Sequence, residues 1–439
     1  MHSNEPERFE GCEHEDIADN IKLSFYGRGA APCQINANDP DARLTIRKFN
    51  THSHNTRGIV RTLTFGKICA FAGDFYGVPN QPIAVEGETA LGQISALRRK
   101  RAIDAFSTIG DWTDDTFDKM KKEIINNSKF LQKERAYLEK GGARKSTDPF
   151  GIISYHGFED AIFEAYEKNA TTNFFYFIHT PGKHGDKLKA LTENNYDHFQ
   201  PYAQIAYEVF HALALEEATK ARSEHLTPND KNGFLRNAYA IEAFGCHFLG
   251  DSFASGHMRV PRYELPKSTT FAIGGHVLCN KMHNEDNKHG LRVTSRFAQA
   301  QNPQNPYWIA YGDKLLHHKK NSTNFKYAIK AIQCAVDEVF KASQIDLPNF
   351  TVQESRVFDY IPYVDTAEGM NNAPMFQIRT SDGKLCRRKK LNDLQCKELT
   401  ENWTAPGTIS QLQRSTPKNT RWPINSGDEE QLNGSMDTS

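Results

Sequence analysis

The sequence predicts a mainly α-helical protein, and three observations carry that expectation. "FQPYAQIAYEVFHALALEEATKAR" (199–222) and "GFLRNAYAIEAFGCHFLGDSFASG" (233–256) place apolar residues every three to four positions along their whole length, the period of a helix with a buried face. "NFKYAIKAIQCAVDEVFKAS" (324–343) repeats the pattern. Strand-like runs are short and gather after residue 350.

Taken in order, residues 5–30 read as helical behind a polar start, and 30–66, rich in Asn, Asp, Gly and Thr, as loop with some strand. "TFGKICAFAGDFYGVP" (64–79) is an apolar run that stops in Gly, Asp and Pro, which places Asp74 where an element gives way to a loop. Helical patterns dominate from Thr89 to Lys140 and return at 158–168 after a Gly/Lys/Ser/Asp loop. Beyond 350, β-prone runs such as "FQIRTSDGKLCRRKK" suggest a small appended domain, and from Thr416 the chain is polar and aperiodic, as disordered tails are. The expected organisation is a body over 1–349 with an inserted helical subdomain at about 80–195, a β-containing C-terminal domain over 350–415, and a tail over 416–439.

Lys+Arg and Asp+Glu both number 54 in the 439 residues, so no global field favours nucleic acid. The basic runs "RRKR" (98–101) and "RRKK" (387–390) are ordinary as solvated faces and notable only as polyanion patches. No basic leader followed by an apolar segment opens the chain, and no stretch reaches 18 apolar residues, so neither a secretory signal nor a membrane span is expected. The eight cysteines form no C-x-x-C pair and read as reduced thiols.

The chemistry-bearing residues are imidazoles and carboxylates. "HFLGDSFASGH" sets His247, Asp251 and His257 at relative positions 0, 4 and 10; an i, i+4 pair shares a helix face and so aims at one object. "CEHEDI" offers His14, "AGDFYG" Asp74, "NYDHFQP" His198, and "GGHVLCNKMHNEDNKHG" offers His276, His283, Glu285, Asp286 and His289. Such a donor set without thiolate suits Zn²⁺. The plainer readings are a helix-surface ion pair for His247 and Asp251, a helix-start residue for His14 and a turn residue for Asp74. His52, His54, His179, His184, His211, His276, His289, His317 and His318 are expected at the surface or in supporting roles.

"HFLGDSFASGH" resembles the H-x3-D-x5-H signature of bacterial zinc-dependent phospholipases C and of the P1/S1 nucleases. "EHEDI", "GDFYGVP", "DHFQPYAQIAYE", "HFLGDSFASGHMRVPR" and "MHNEDNKHGL", in this order across roughly 10–295, resemble the Pseudomonas/Legionella-type branch of the phospholipases. The resemblance implies a largely helical fold around two or three zinc ions. Asp74, His198, His247 and Asp251 would bind one, with Asp251 bridging to a second that His14 also holds. His257 would share a third with His283 and a carboxylate, Asp286 being favoured and Glu285 competing. The chain departs from the family in having Asn287 where better-known members carry a Glu four residues after that His. It also lacks their N-terminal Trp ligand, for which His2, Glu13 and Asp16 are candidates. The 124 positions between Asp74 and His198 imply the inserted subdomain.

The implied reaction is hydrolysis of a phosphatidylcholine-type glycerophospholipid at a membrane surface, giving diacylglycerol and a phosphorylated head group, with Asp74 as general base for a metal-activated water. No nucleic-acid partner is expected. The aromatic run "NFFYFIHTP" (173–181) reads as an interfacial patch or as buried core. A P1-like nuclease or nucleotidase and a non-catalytic interaction protein with a structural metal are the alternatives. The Glu-containing polar tail resembles the signals of type IV-secreted proteins, so export into a host cell without a Sec signal is expected, cytoplasmic residence being the alternative.

Overall fold

The computed structural model describes residues 11–27, 32–47, 59–73, 76–111, 190–191, 193–312, 315–316, 319–345 and 354–414. Asp74, His2, most of the expected insertion with its aromatic run, and the tail from 416 lie outside the described residues. The described part is mainly helical with small sheets.

Helix α1 (Gly11–Ala18) is followed by the antiparallel pair β1 (Lys22–Phe25) and β2 (Cys33–Asn36). Helix was expected through residue 30, but "KLSF" is a period-2 segment whose last three residues are buried, and strand pairing overrides its weak helical preference. Next come β3 (Leu44–Arg47), paired antiparallel with β4 (Ile59–Leu63), then α2 (Phe65–Phe71) and α3 (Ala96–Ser107). The Ser95 side chain caps α3 by accepting from the Arg98 N–H, so this helix starts later than the pattern from Thr89 suggested.

Two long helices form the centre: α4 (Tyr202–Thr219) and α5 (Pro228–Asp251). Helix α5 begins with a capping box between Thr227 and Asp230 and with Pro228 in its first turn, a start signal of high local stability. From Asn237 to Asp251 every residue is buried, as in a helix surrounded by others. The two helices approach closely at Gly245, where a Cβ would stand 2.6 Å from that of Phe210. One residue away, Phe244 stacks on Phe210 with centroids 4.6 Å apart.

The chain continues through the short α6 (Glu264–Lys267), α7 (Ala272–His289), β5 (Leu291–Thr294), α8 (Arg296–Gln301), β6 (Trp308–Ala310) and α9 (Ser322–Gln344). Gly290, at φ +71°, turns the chain out of α7 into β5. Helix α9 packs on α4 and α5, and Asn324 in its first turn donates to the Phe253 carbonyl while accepting from the Trp308 indole.

After 354 come α10 (Val357–Tyr360), β7 (Tyr363–Val364), β8 (Phe376–Ile378), β9 (Leu385–Arg388), β10 (Leu399–Thr400) and α11 (Ala405–Arg414). Strand β7 adds to the β6–β5 sheet, while β8, β9 and β10 make a separate sheet. Met375, Phe376 and Leu391 share one apolar cluster with Leu278 and Met282 of α7. The β-rich region after 350 is therefore sewn to the body by both a sheet and a core.

Seven of the eight residues of the two basic runs have partners within the chain. Arg98 is buried against Glu88, Arg99 pairs with Glu216, Lys100 with Asp104, and Arg101 donates to the Pro82 and Ala84 carbonyls. Arg387 reaches Thr408 and Gln411, Arg388 pairs with Glu285, and Lys389 pairs with Glu398. No helix among the described residues is long and apolar enough to cross a membrane.

Candidate metal centre

The last turn of α5 presents His247 and Asp251 on one face, with Nε2 of the histidine 3.6 Å from Oδ2 of the aspartate. Beyond the helix end the chain tightens into a single 3₁₀ turn, Ser255–His257, which carries His257 back to the same carboxylate; its Nδ1 lies 3.6 Å from Asp251 Oδ1. His14 arrives on α1, Nε2 3.4 Å from Asp251 Oδ1. Helix α1 is held there by Asn38, whose amide donates to the Glu15 carbonyl and the Asp19 carboxylate while its oxygen accepts from Gly66 at the start of α2.

His198 enters from the 3₁₀ turn Tyr196–His198 ahead of α4, with Nδ1 2.8 Å from Asp251 Oδ2 and 3.1 Å from His247 Nε2. This turn is tied to the His257 turn twice: Gln200 N–H donates to the His257 carbonyl, and His257 Nδ1–H to the His198 carbonyl. From α7, His283 places its Nε2 3.1 Å from Nε2 of His257. All six side chains are at most 2% exposed.

Burying five imidazoles around one carboxylate is costly unless the polar atoms are satisfied. Two of the rings have their tautomer set by a carbonyl, which can only accept. His247 Nδ1–H donates to the Cys69 carbonyl at 2.8 Å and His257 Nδ1–H to that of His198 at 3.0 Å, so in the neutral rings Nε2 carries the lone pair in each case. Two ligand atoms on one tetrahedral ion with bonds of 2.0–2.1 Å stand about 3.3 Å apart. The donor spacings here, 2.8 to 3.6 Å, bracket that edge. Ligand atoms of His14, His247 and Asp251 all lie within 4.8 Å of one another, and this buried group could hold a metal ion.

Glycines make the room. A Cβ on Gly73, which sits at φ +72°, would come within 2.7 Å of the His198 ring and 3.1 Å of the His247 ring, and one on Gly250 within 2.9 Å of the His14 ring. Comparison with protein-family models, curated proteins and solved structures finds no match. What the centre can do follows from its own donors. Imidazoles with a carboxylate suit first-row divalent ions, and Cys69, whose Sγ is 3.9 Å from Nδ1 of His14, approaches the side of that ring facing away from Asp251.

Asp286 is paired with an arginine. Its two oxygens accept from Nε and Nη2 of Arg259 at 2.9 and 2.6 Å. Glu285 is likewise gripped, by Nη1 and Nη2 of Arg388, both at 2.8 Å; burial raises its pKa against the opposing pull of that guanidinium. The side chain that does reach His283 is Asn287, one turn on, with Nδ2 3.1 Å from Nε2 of the ring. Of the groups suggested in place of the family's Trp, Glu13 accepts from the Leu316 N–H.

His276 and His211 stand apart from the cluster. His276 Nδ1 lies 2.8 Å from Nη1 of Arg262, and burial, with that positive charge, lowers its pKa to about 4. His211, expected at the surface or in support, is fully buried between Glu242 and Glu338, 2.9 and 3.0 Å from its two nitrogens. Among the described residues, a small cleft opens beside His198, lined by Tyr76, Asn80, Asn194, Asp197 and Phe248 among others.

Proposed function

We propose that the protein is a zinc-dependent phospholipase C that hydrolyses phosphatidylcholine-type glycerophospholipids to diacylglycerol and a phosphorylated head group. The observation that carries this reading is the meeting of His14, His198, His247, Asp251, His257 and His283, drawn from separate parts of the chain, at donor spacings of 2.8 to 3.6 Å. Zinc, when bound, supplies Lewis-acid polarisation of a phosphoryl oxygen and acidification of a water.

The chain's own residues do the rest. Asp251, central to four imidazoles, would supply the carboxylate that holds bound metal; the Cys69 and His198 carbonyls fix which nitrogen His247 and His257 present. The resemblance assigns proton acceptance from the attacking water to Asp74. Choice of lipid over nucleic acid is supported by the branch-specific segments and by the internal pairing of most residues in the two basic runs.

The test pairs metal analysis with two substrates. Purified protein should contain zinc, release phosphocholine from phosphatidylcholine vesicles, and leave single-stranded DNA intact. Asp251→Asn should lose zinc and turnover together, and Asp74→Asn should lose turnover by about 100-fold or more. DNA cleavage without head-group release would replace this reading with the nuclease, and bound zinc without either activity would leave a structural metal.

A further inference from the structure

The start of α7, at the opposite end of that helix from His283, shows apolar side chains to water in a row. Phe271 and Ile273 are 76% and 61% exposed, the highest values for large apolar residues among the described residues, and Ala272 between them is exposed as well. Phe271 also occupies the cap position of α7, where a Ser, Thr, Asp or Asn side chain would satisfy an N–H of the first turn. Ser268, Thr269 and Thr270 directly precede it and do not take that position.

The turn that leads into α7 directs its polar groups inward. The Ser268 hydroxyl donates to the Glu264 carbonyl at 2.9 Å, and the Thr269 hydroxyl is shared between the Pro266 and Phe271 carbonyls at 3.1 and 2.9 Å. The Ser268 and Gly274 N–H groups donate to the Glu264 and Phe271 carbonyls. A tip ordered in this way can leave bulk water without stranding those groups. Residues suited to the boundary between water and hydrocarbon flank it. Lys267, paired with Glu86, lies over the Tyr263 ring at 3.7 Å from its centroid. Half-buried Trp403 stands two residues ahead of Ala405, which meets α7 at Gly274, where a Cβ would be 2.9 Å from that of the alanine.

We propose that Phe271 and Ile273 form a docking tip that enters the head-group boundary of a phosphatidylcholine-type lipid surface. The choice of lipid rests on the phospholipase reading and deepens it by naming where that surface is met. Size favours lipid over a second copy of the chain. Two such side chains expose about 200–300 Å², against about 800 Å² per partner for a stable protein interface, whereas a lipid boundary needs no matching surface. Glu86 neutralises Lys267, so apolar contact rather than charge supplies the attraction, and a zwitterionic surface suffices. Placement agrees with this. Ile273 precedes His283 by ten residues of α7, about 15 Å of helix axis, so a tip seated in the boundary keeps the metal centre near the head groups.

The experiment is co-sedimentation of zinc-loaded full-length protein with phosphatidylcholine vesicles, run beside head-group release from those vesicles and from short-chain phosphatidylcholine below its micelle concentration. Phe271→Ser combined with Ile273→Ser should lower vesicle binding and vesicle turnover by about ten-fold or more, and leave turnover of the monomeric lipid at the wild-type rate. Leu97→Ser, at an exposed apolar position of α3, should change none of these. Phe271→Trp should bind vesicles, and the added emission, read against wild type, should shift to the blue. Undiminished vesicle binding by the double variant, an equal loss in Leu97→Ser, an equal loss of turnover on monomeric lipid, no emission shift, or a wild-type dimer that the double variant dissolves would each overturn the inference while leaving the phospholipase reading standing. Tip-dependent vesicle binding without head-group release from either form of the lipid would overturn the phospholipase reading alone. Wild-type protein that neither binds vesicles nor releases head group would overturn both.

Discussion

Asp251 is the residue on which the centre turns, because it is a buried carboxylate with four imidazoles within 3.6 Å of its oxygens. Its position follows from two local facts, the i, i+4 offset from His247 and the helix end that lets the chain return at His257. Gly73 matters as much by what it lacks. At φ +72° and with the His198 and His247 rings where its Cβ would be, Gly73→Ala is strained in backbone and crowded in space. On the proposed zinc reading, the expected outcome is a loss of about 10- to 100-fold in zinc affinity, seen in chelator competition, together with a lowered unfolding midpoint in a thermal melt.

Among the elements, α4, α5 and α9 are locked by His211. Burial alone would lower its pKa, but Glu242 of α5 and Glu338 of α9 outweigh that and raise it to about 10, so the ring is an imidazolium that donates to both carboxylates at neutral pH. Tyr207 stacks on it at 5.4 Å. Glu338 in turn has a lowered pKa: burial opposes the shift, and the His211 hydrogen bond and charge prevail. The sign of the pH effect follows by linkage. The histidine's contribution is full below its unfolded value of 6.5 and is lost as pH rises through about 10; that of Glu338 is present above 4.5 and is lost as pH falls through its lower folded value. His211→Gln should therefore cost about 3–5 kcal/mol near neutral pH, and chemical denaturation should show the gap from wild type narrowing towards pH 10.

For the molecule as a whole, the C-terminal region is fastened to α7, the helix that carries His283. The Arg388 guanidinium in β9 is fully buried, holds Glu285 of α7, and donates also to the Ala373 and Leu391 carbonyls. Arg388→Met would leave a buried carboxylate unpaired two residues from His283, at a cost of about 3–5 kcal/mol. Limited proteolysis should then cut within 354–414 under conditions where wild type resists. Adding Glu285→Leu, which removes the stranded charge, should restore much of the resistance; if the single variant is cut no faster than wild type, Arg388 does not hold this region in place.

The helical class was legible because it depends on periodicity: the apolar spacing of 199–222 and 233–256 needs no partner to be recognised. The same is true of the His247–Asp251 face. Early residues misled because "KLSF" is too short for its period to speak, and its strand form depends on pairing with β2. Local pattern also says nothing about where an arginine 103 positions away will reach, so the withdrawal of Glu285 by Arg388 and of Asp286 by Arg259 appears only once the chain is folded. Spacing within a helix is a property of the backbone, whereas the choice among three neighbouring side chains at His283 is made by whichever long-range partner neutralises each charge out of water.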